Sequence, residues 1–253
     1  MIIVIQTRDA IVLKPTPFEE GGLVVSFLTD QGERITGLAR GAKKPSAKWV
    51  ASFEPLSLVR VSFFGKEQSD VRRVTRCELL HSPLTLGHLE CGLVIACLAD
   101  LFDRVAKEGL EDPRLFRLVS SCSRALWANP DKAASTLAYG EHWLLHCMGL
   151  LPRAGACGRC GRVDTPFVLL GEQGWHCASC TPTDTSEALP PGAKEYLRKI
   201  RTSKAEDMPD TNESSASRAV TQILRDRLLN EIGRLKSYDV YFRCACLAAS
   251  NIN

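Results

Sequence analysis

The stretch Leu56-Ser-Leu-Val-Arg-Val-Ser-Phe63 decides the fold of the first part of the chain. Leu58, Arg60 and Ser62 alternate with Val59, Val61 and Phe63, the period-two pattern of a strand with one wet face and one buried face. Working outward, comparable segments flank it: Ala10 to Leu13, Leu23 to Thr29 and Arg34 to Ala39 before it, and Val71 to Leu79 after it. Five short strands between turn signals predict a small closed barrel, and an OB-type barrel is the economical arrangement. The segment Lys43 to Ala51, between the third and fourth strands, has room for a short helix.

Past Pro83 the texture becomes helical. Leu84 to Val105 carries Leu86, Leu89, Leu93, Ala96 and Leu101 at helical spacing. Asp112-Pro113 opens a second helix with good N-cap and first-turn residues, and Asn129-Pro130 opens a third that runs to Met148 and stops at Gly149. After Pro190-Pro191-Gly192 a helix is expected around Ala193 to Arg201, and a last one over Ser217 to Lys236. Between these two, Thr202 to Ser217 is rich in Ser, Asp, Glu and Thr and reads as a loop or linker. The expected architecture is multi-domain α+β: residues 1–80 form the barrel, and 81–253 form a helical domain with an insert at about 153–183.

That insert carries Cys157-Gly-Arg-Cys160 and Cys177-Ala-Ser-Cys180, with sixteen residues between the pairs. Two such knuckles present four soft sulfurs to one tetrahedral ion, the pattern of a zinc ribbon. Four protein thiolates close the coordination shell, so one structural zinc ion is expected, with no open position for chemistry. Gly158, Gly161 and Gly171 suit the tight turns of such a site. A redox pair or an iron–sulfur site are the competing readings, and neither pair opens a helix after an apolar strand as a thioredoxin-like motif does. His176, beside Cys177, reads as a neighbour rather than a ligand. The other seven of the eleven cysteines lack framework spacing. Cys91, Cys97 and Cys147 sit in apolar stretches and read as core.

The chain has 253 residues, 45% apolar and 24% charged, which is ordinary for a soluble globular protein with two modest domains. Met1-Ile-Ile-Val-Ile5 is too short for a secretory signal, and no apolar run reaches membrane length, so a reducing cytoplasmic setting is expected. The net charge of +3 is too mild to declare a nucleic-acid partner, and distribution has to decide. Between Glu33 and Glu54 there is no acid, while Arg34, Arg40, Lys43, Lys44 and Lys48 stand near Trp49 and Phe53. Cations that follow phosphates and rings that stack on unpaired bases are what single-strand binding needs, and Arg72, Arg73 and Arg76 add a second cluster. The bland alternatives are a solvated lysine-rich turn and aromatics that serve as core.

Enzyme signatures are absent from the phosphate-loop, dinucleotide and nucleophile-elbow classes. His142 and His146 follow Glu141 on one helical face, but Trp143 stands where a zinc-protease helix needs its glutamate, so packing is the expected role. Pro209-Asp210 with Glu213 does not assemble into a nuclease site.

The order of parts resembles the RecO family of bacterial recombination mediators. The likeness is carried by Thr7-Arg-Asp-Ala-Ile-Val-Leu13, Pro17-Phe-Glu-Glu20, Val24 to Thr29, Gly32-Glu-Arg34, Ala39-Arg-Gly-Ala-Lys43 and Phe53-Glu-Pro-Leu56, then Leu115-Phe116, Leu144-Leu145 and Gly149-Leu-Leu-Pro152. It implies an OB-fold protein without enzymatic activity that binds single- and double-stranded DNA and anneals complementary strands. It also implies action with RecR, which helps load RecA onto strands coated by single-strand binding protein. By position, Arg34, Arg40 and Lys43 become phosphate contacts, with Lys44 and Lys48 as extensions, and the four cysteines map onto a zinc site found in many members. Phe18 stands where tyrosine is usual, Gly22 where a polar residue is common, and Thr202 to Ser217 is a polar insertion. The rival readings are a zinc-ribbon protein that interacts with nucleic acid in transcription or on ribosomes, and a metal-dependent nuclease or hydrolase built on His142 and His146.

Overall fold

Strand β1 (Val4–Phe18) is the longest of the barrel and explains how it closes. Its first half pairs antiparallel with β4 (Leu58–Gly65), from Val4 opposite Gly65 to Ile11 opposite Leu58. Its second half pairs with β2 (Gly22–Thr29), from Ala10 opposite Thr29 to Phe18 opposite Gly22. β3 (Arg34–Ala39) lies antiparallel to β2 and parallel to β5 (Arg72–His81), which pairs back onto β4. The closed order is therefore β1-β2-β3-β5-β4, the OB-type arrangement expected. The computed structural model describes residues 4–19, 21–42, 50–65, 71–84, 87–151, 157, 159–163, 167–170, 174–180, 190–211 and 214–250.

Pro15 and Pro17 sit in the part of β1 beyond its register with β4, where a strand paired on one side can spare an N–H. Alternation fills the barrel with Val12, Val25, Phe27, Ile35, Phe53, Val59, Val61, Phe63 and Val74. Phe27 meets Phe63 edge-on at 5.5 Å and Phe53 at 6.3 Å between ring centres. Gly37 points inward too: a Cβ there would lie 2.8 Å from Val74 and 2.9 Å from Phe27, so β3 needs glycine to clear the packed rings. Gly22 has a similar reason, since its Cβ would lie 2.7 Å from the Phe18 carbonyl oxygen across the turn. The 3-10 turn Val50–Phe53 overlaps the last two residues of the segment Lys43 to Ala51, where a short helix was expected, and residues 43–49 lie outside the described ones. β4 starts later than expected because Leu56 takes φ +60°, its N–H bound to the Val12 carbonyl at 2.8 Å.

The chain divides into two compact units, Met1–Ala133 with Leu235–Asn253, and Ala134–Arg234. This division and the change from strands to helices near Pro83 are different boundaries. In the first unit, α1 (Leu89–Val105) and α2 (Pro113–Ala128) pack on β1. Ala10-Ile-Val-Leu13 is accordingly buried on both faces, Ala10 and Val12 toward the barrel and Ile11 and Leu13 away from it. Polar ties reinforce the contact: Ser26 donates to Asp103 at 2.6 Å, Thr36 to Glu108 at 3.0 Å, and Ser123 to the Leu56 carbonyl at 2.9 Å. Gly32, at φ +79°, brings the β2–β3 turn so close to Asp112 that a Cβ would strike its carbonyl oxygen.

Two expectations about the C-terminal part need correction. The last helix does not run from Ser217 to Lys236: α5 (Ser215–Ile232) ends at Gly233, φ +83°, and a further helix, α6 (Lys236–Ser250), follows. α6 packs on α1, and Tyr241 donates to Glu90 at 3.2 Å. The polar stretch from Thr202 is not a free linker either. Ala205, Met208 and Thr211 are buried, Ser217 donates to the Thr211 carbonyl at 2.7 Å, and Ser214 caps α5 in a reciprocal box with Ser217.

The second unit contains nearly all of α3 (Ala133–Cys147), the two-stranded β6 (Phe167–Leu170) and β7 (Gly174–Cys177), α4 (Ala193–Thr202) and α5. α4 packs on α5, with Tyr196 beside Thr221 in the buried contact. Among the described residues no helix is long and apolar enough to cross a membrane.

Candidate metal centre and nucleic-acid interface

The four cysteines of the two knuckles meet. Their sulfurs all lie within 4.8 Å of one another, and Cys160 Sγ and Cys177 Sγ are 3.6 Å apart. Zn–S bonds of about 2.3 Å arranged tetrahedrally put sulfurs about 3.8 Å from each other, so the cluster has the dimensions of a closed four-thiolate site. Local structure brings them there. Cys157 and Gly161 form a tight turn in which Gly161 N–H reaches the Cys157 carbonyl at 2.8 Å, with Gly161 at φ +72°. Cys177 ends β7, and Cys180 closes the 3-10 turn Ala178–Cys180 that follows it.

The thiols are electrostatically unequal. Burial opposes ionisation of Cys157, but backbone N–H groups of Cys177, Cys160 and Arg159 outweigh it and hold this thiol down at about 6. Sulfur contacts with Cys177 and Cys160, then burial, push Cys180 up to about 12. Four sulfurs in one small space compete for ionisation, and a divalent cation between them removes that competition by stabilising every thiolate. His176 is buried but is not among the clustered ligands. Elsewhere Cys91, Cys97 and Cys122 are buried, Cys147 is half-buried, and burial pushes Cys122 up to about 12.

The histidines of α3 form no such cluster. His142 is buried, Trp143 packs edge-on between His142 at 5.5 Å and His146 at 5.3 Å, and Glu141 is held by Arg225 Nε at 2.7 Å. Burial first, then the charges of Arg201 and His146, hold His142 down at about 4, so it is neutral at ordinary pH. Among the described residues, the group that could hold a metal is the cysteine set.

The predicted cations fall into different settings. Arg40 is exposed just past the end of β3, and among the described residues it makes no ion pair. Arg73 is exposed on β5, while Arg72 donates to Gln6 at 3.1 Å. The parallel register sets Gly37 beside Arg72 and Leu38 beside Arg73, so Arg73 lies close along the pairing to Arg40, while Arg72 keeps the inward phase of Val74, with its Nε buried. Arg34 stands apart from them: it faces Asp103 at 3.7 Å and Glu108 at 3.5 Å, in the seam between β3 and the end of α1. Lys43, Lys44, Lys48 and Trp49 lie outside the described residues, and Phe53 belongs to the barrel core. Phe64, which sequence reading passed over, is an exposed barrel aromatic directly opposite Arg73. The alternation of β4 carried the signal, because Phe63 inward requires Phe64 outward.

Comparison with known proteins covers both halves of the chain. The family model described as Recombination protein O N terminal matches residues 1–83, and Recombination protein O C terminal matches residues 91–237. The DNA repair protein RecO of Koribacter versatilis is 28% identical over 158 residues, which span 62% of this chain and 64%, just under two thirds, of that protein. The DNA repair protein RecO of Anaeromyxobacter sp. (strain K) is 29% identical, with 68% and 69% covered. That of Bacillus pumilus is 28% identical, with 75% and 74% covered.

Proposed function

The chain belongs to the RecO family of DNA repair proteins, and from that premise we propose that it is a recombination mediator without a catalytic site of its own. In this reading it binds single- and double-stranded DNA and anneals complementary strands. Together with RecR it helps RecA load onto strands coated by single-strand binding protein, in the cytoplasm. Residues 1–80 act as the DNA-binding barrel, and residues 81–253 supply the helical body from which partners are met.

The observation that carries the reading is the pairing of β3 with β5 in a closed barrel, which sets exposed Arg73 beside Leu38, two residues before exposed Arg40. Cations on the surface neutralise phosphates, release counterions and lower the repulsion between two strands brought together. Lys43, Lys44 and Lys48, outside the described residues, follow Arg40 in the sequence and add to its charge. Arg34 contributes less, because Asp103 and Glu108 already share its charge.

The metal is zinc in this reading. Four thiolates suit a borderline-soft ion without redox chemistry, and a closed shell assigns it to holding the β6–β7 ribbon in place. Zinc supplies folding energy there, and the chain's own residues do the binding.

The test is DNA binding at graded salt. The double substitution Arg40→Ala with Arg73→Ala should weaken binding to single strands and to duplex and lower the slope of log K against log salt by between about one and two. Unchanged affinity together with an unchanged slope would sink the barrel assignment. Metal analysis of the same protein should return one zinc per chain.

A further inference from the structure

Directly opposite residues on neighbouring strands form a row across the outer face of the barrel. Ile5 on β1 faces Phe64 on β4, Phe64 faces Arg73 on β5, and Arg73 faces Leu38 on β3. Their inward neighbours are core residues, Phe63 and Val74 beside Phe64 and Arg73, so the row itself points outward. Ile5 is 65% exposed and Phe64 40% exposed, and the Phe64 ring meets no other ring among the described residues. Among the described residues no element covers Ile5 and Phe64, and exposed apolar surface on a sheet face has a ligand, or it is a liability.

The charges around the strip select the ligand. Arg73 lies within the row, Arg40 follows Leu38 by two residues, and Arg76 is exposed further along β5, paired with Glu78 at 3.8 Å. No acid occupies the row. A second copy of this strip would bring arginine against arginine. A polyanion that also offers flat apolar faces fits both features, and an unpaired nucleic-acid strand is that molecule, since a duplex hides its base faces in the stack.

We propose that Phe64, with Ile5 beside it, is a base-stacking platform for single-stranded nucleic acid, with Arg73 on its other side for the phosphate and Leu38 beyond Arg73. The proposal rests on the DNA-binding reading above and deepens it, because it separates a site for unpaired bases from the general attraction for phosphates. Stacking accepts every base, so the site is indifferent to sequence.

The experiment titrates the full-length protein with three fluorescent probes at one salt concentration: a thymidine oligonucleotide, the same backbone with abasic sites, and a duplex. Phe64→Ala should weaken the thymidine strand on the order of tenfold. It should leave duplex and abasic binding, and the salt slope, as in the unaltered protein. Phe64→Leu keeps apolar area without a ring and should lose nearly as much, whereas Phe64→Tyr should retain the wild-type affinity. Equal losses on thymidine and abasic strands, no loss at all, or a Phe64→Leu protein that binds like wild type would each overturn the platform, and the last two outcomes would assign the strip to a protein partner instead. Failure of the unaltered protein to bind any probe would remove the underlying DNA-binding reading, a result distinct from these.

Discussion

Glu141 is fully buried, and the Arg225 guanidinium that holds it is nearly so. Removing one member of such a pair strands a charge in a low-dielectric interior, at a cost of about 3–5 kcal/mol. Arg225→Met should therefore destabilise the protein strongly in urea, and adding Glu141→Leu should recover most of the loss; a single variant as stable as wild type would contradict the pairing. His142 gives a second test in the same unit. Its folded value, about 4, is below the ordinary 6.5, so between these values the unfolded chain binds the extra proton and the folded one does not. Stability from this residue is complete above 6.5 and drains away as pH falls toward about 4, by roughly 3 kcal/mol in all. Urea midpoints of wild type should fall faster than those of His142→Gln between about pH 7 and pH 4.5. Parallel curves would mean that His142 is hydrated in the folded protein. The packing role expected of the two α3 histidines holds for His142, which is buried, while His146 is exposed. Phe53 was open between stacking and core because its turn carries no period, whereas Phe64 was passed over although the phase of β4 sets it outward.

Among the elements, β2 to β5 stand close to their sequence positions, with the cleanest alternation in β3, whereas β1 is buried on both faces over Ala10 to Leu13. Boundaries shifted where tertiary contacts extend a strand, as in β1 through Pro15 and Pro17, or stop one, as at Leu56. The break at Gly233 was missed because the helical pattern continues beyond it, and α6 takes its partner α1 from far back in the chain, which no local window sees. The ribbon was the most legible element, since two spaced knuckles specify a ligand set without tertiary information. Chelation should lower the protection of amides in β6 and β7 against hydrogen exchange while the barrel strands keep theirs. Equal loss in both would show that the metal supports more than the ribbon.

For the whole molecule, a small net charge of +3 conceals exposed arginines, Arg40 and Arg73, along the β3–β5 pairing, and on the proposed reading a salt titration reports their phosphate contacts. The compact units were not legible in the sequence. One of them joins residues from both ends of the chain, through α6, whereas composition changes only once, near Pro83. On the proposed reading, this protein brings complementary strands together through phosphate neutralisation and exposed stacking, without a chemical step. The most direct measurement follows duplex formation between two labelled complementary strands, each coated with single-strand binding protein, with and without the folded, zinc-loaded chain. The account predicts acceleration that needs no ATP and fades as salt rises. Duplex formation at the same rate with and without the protein would contradict it.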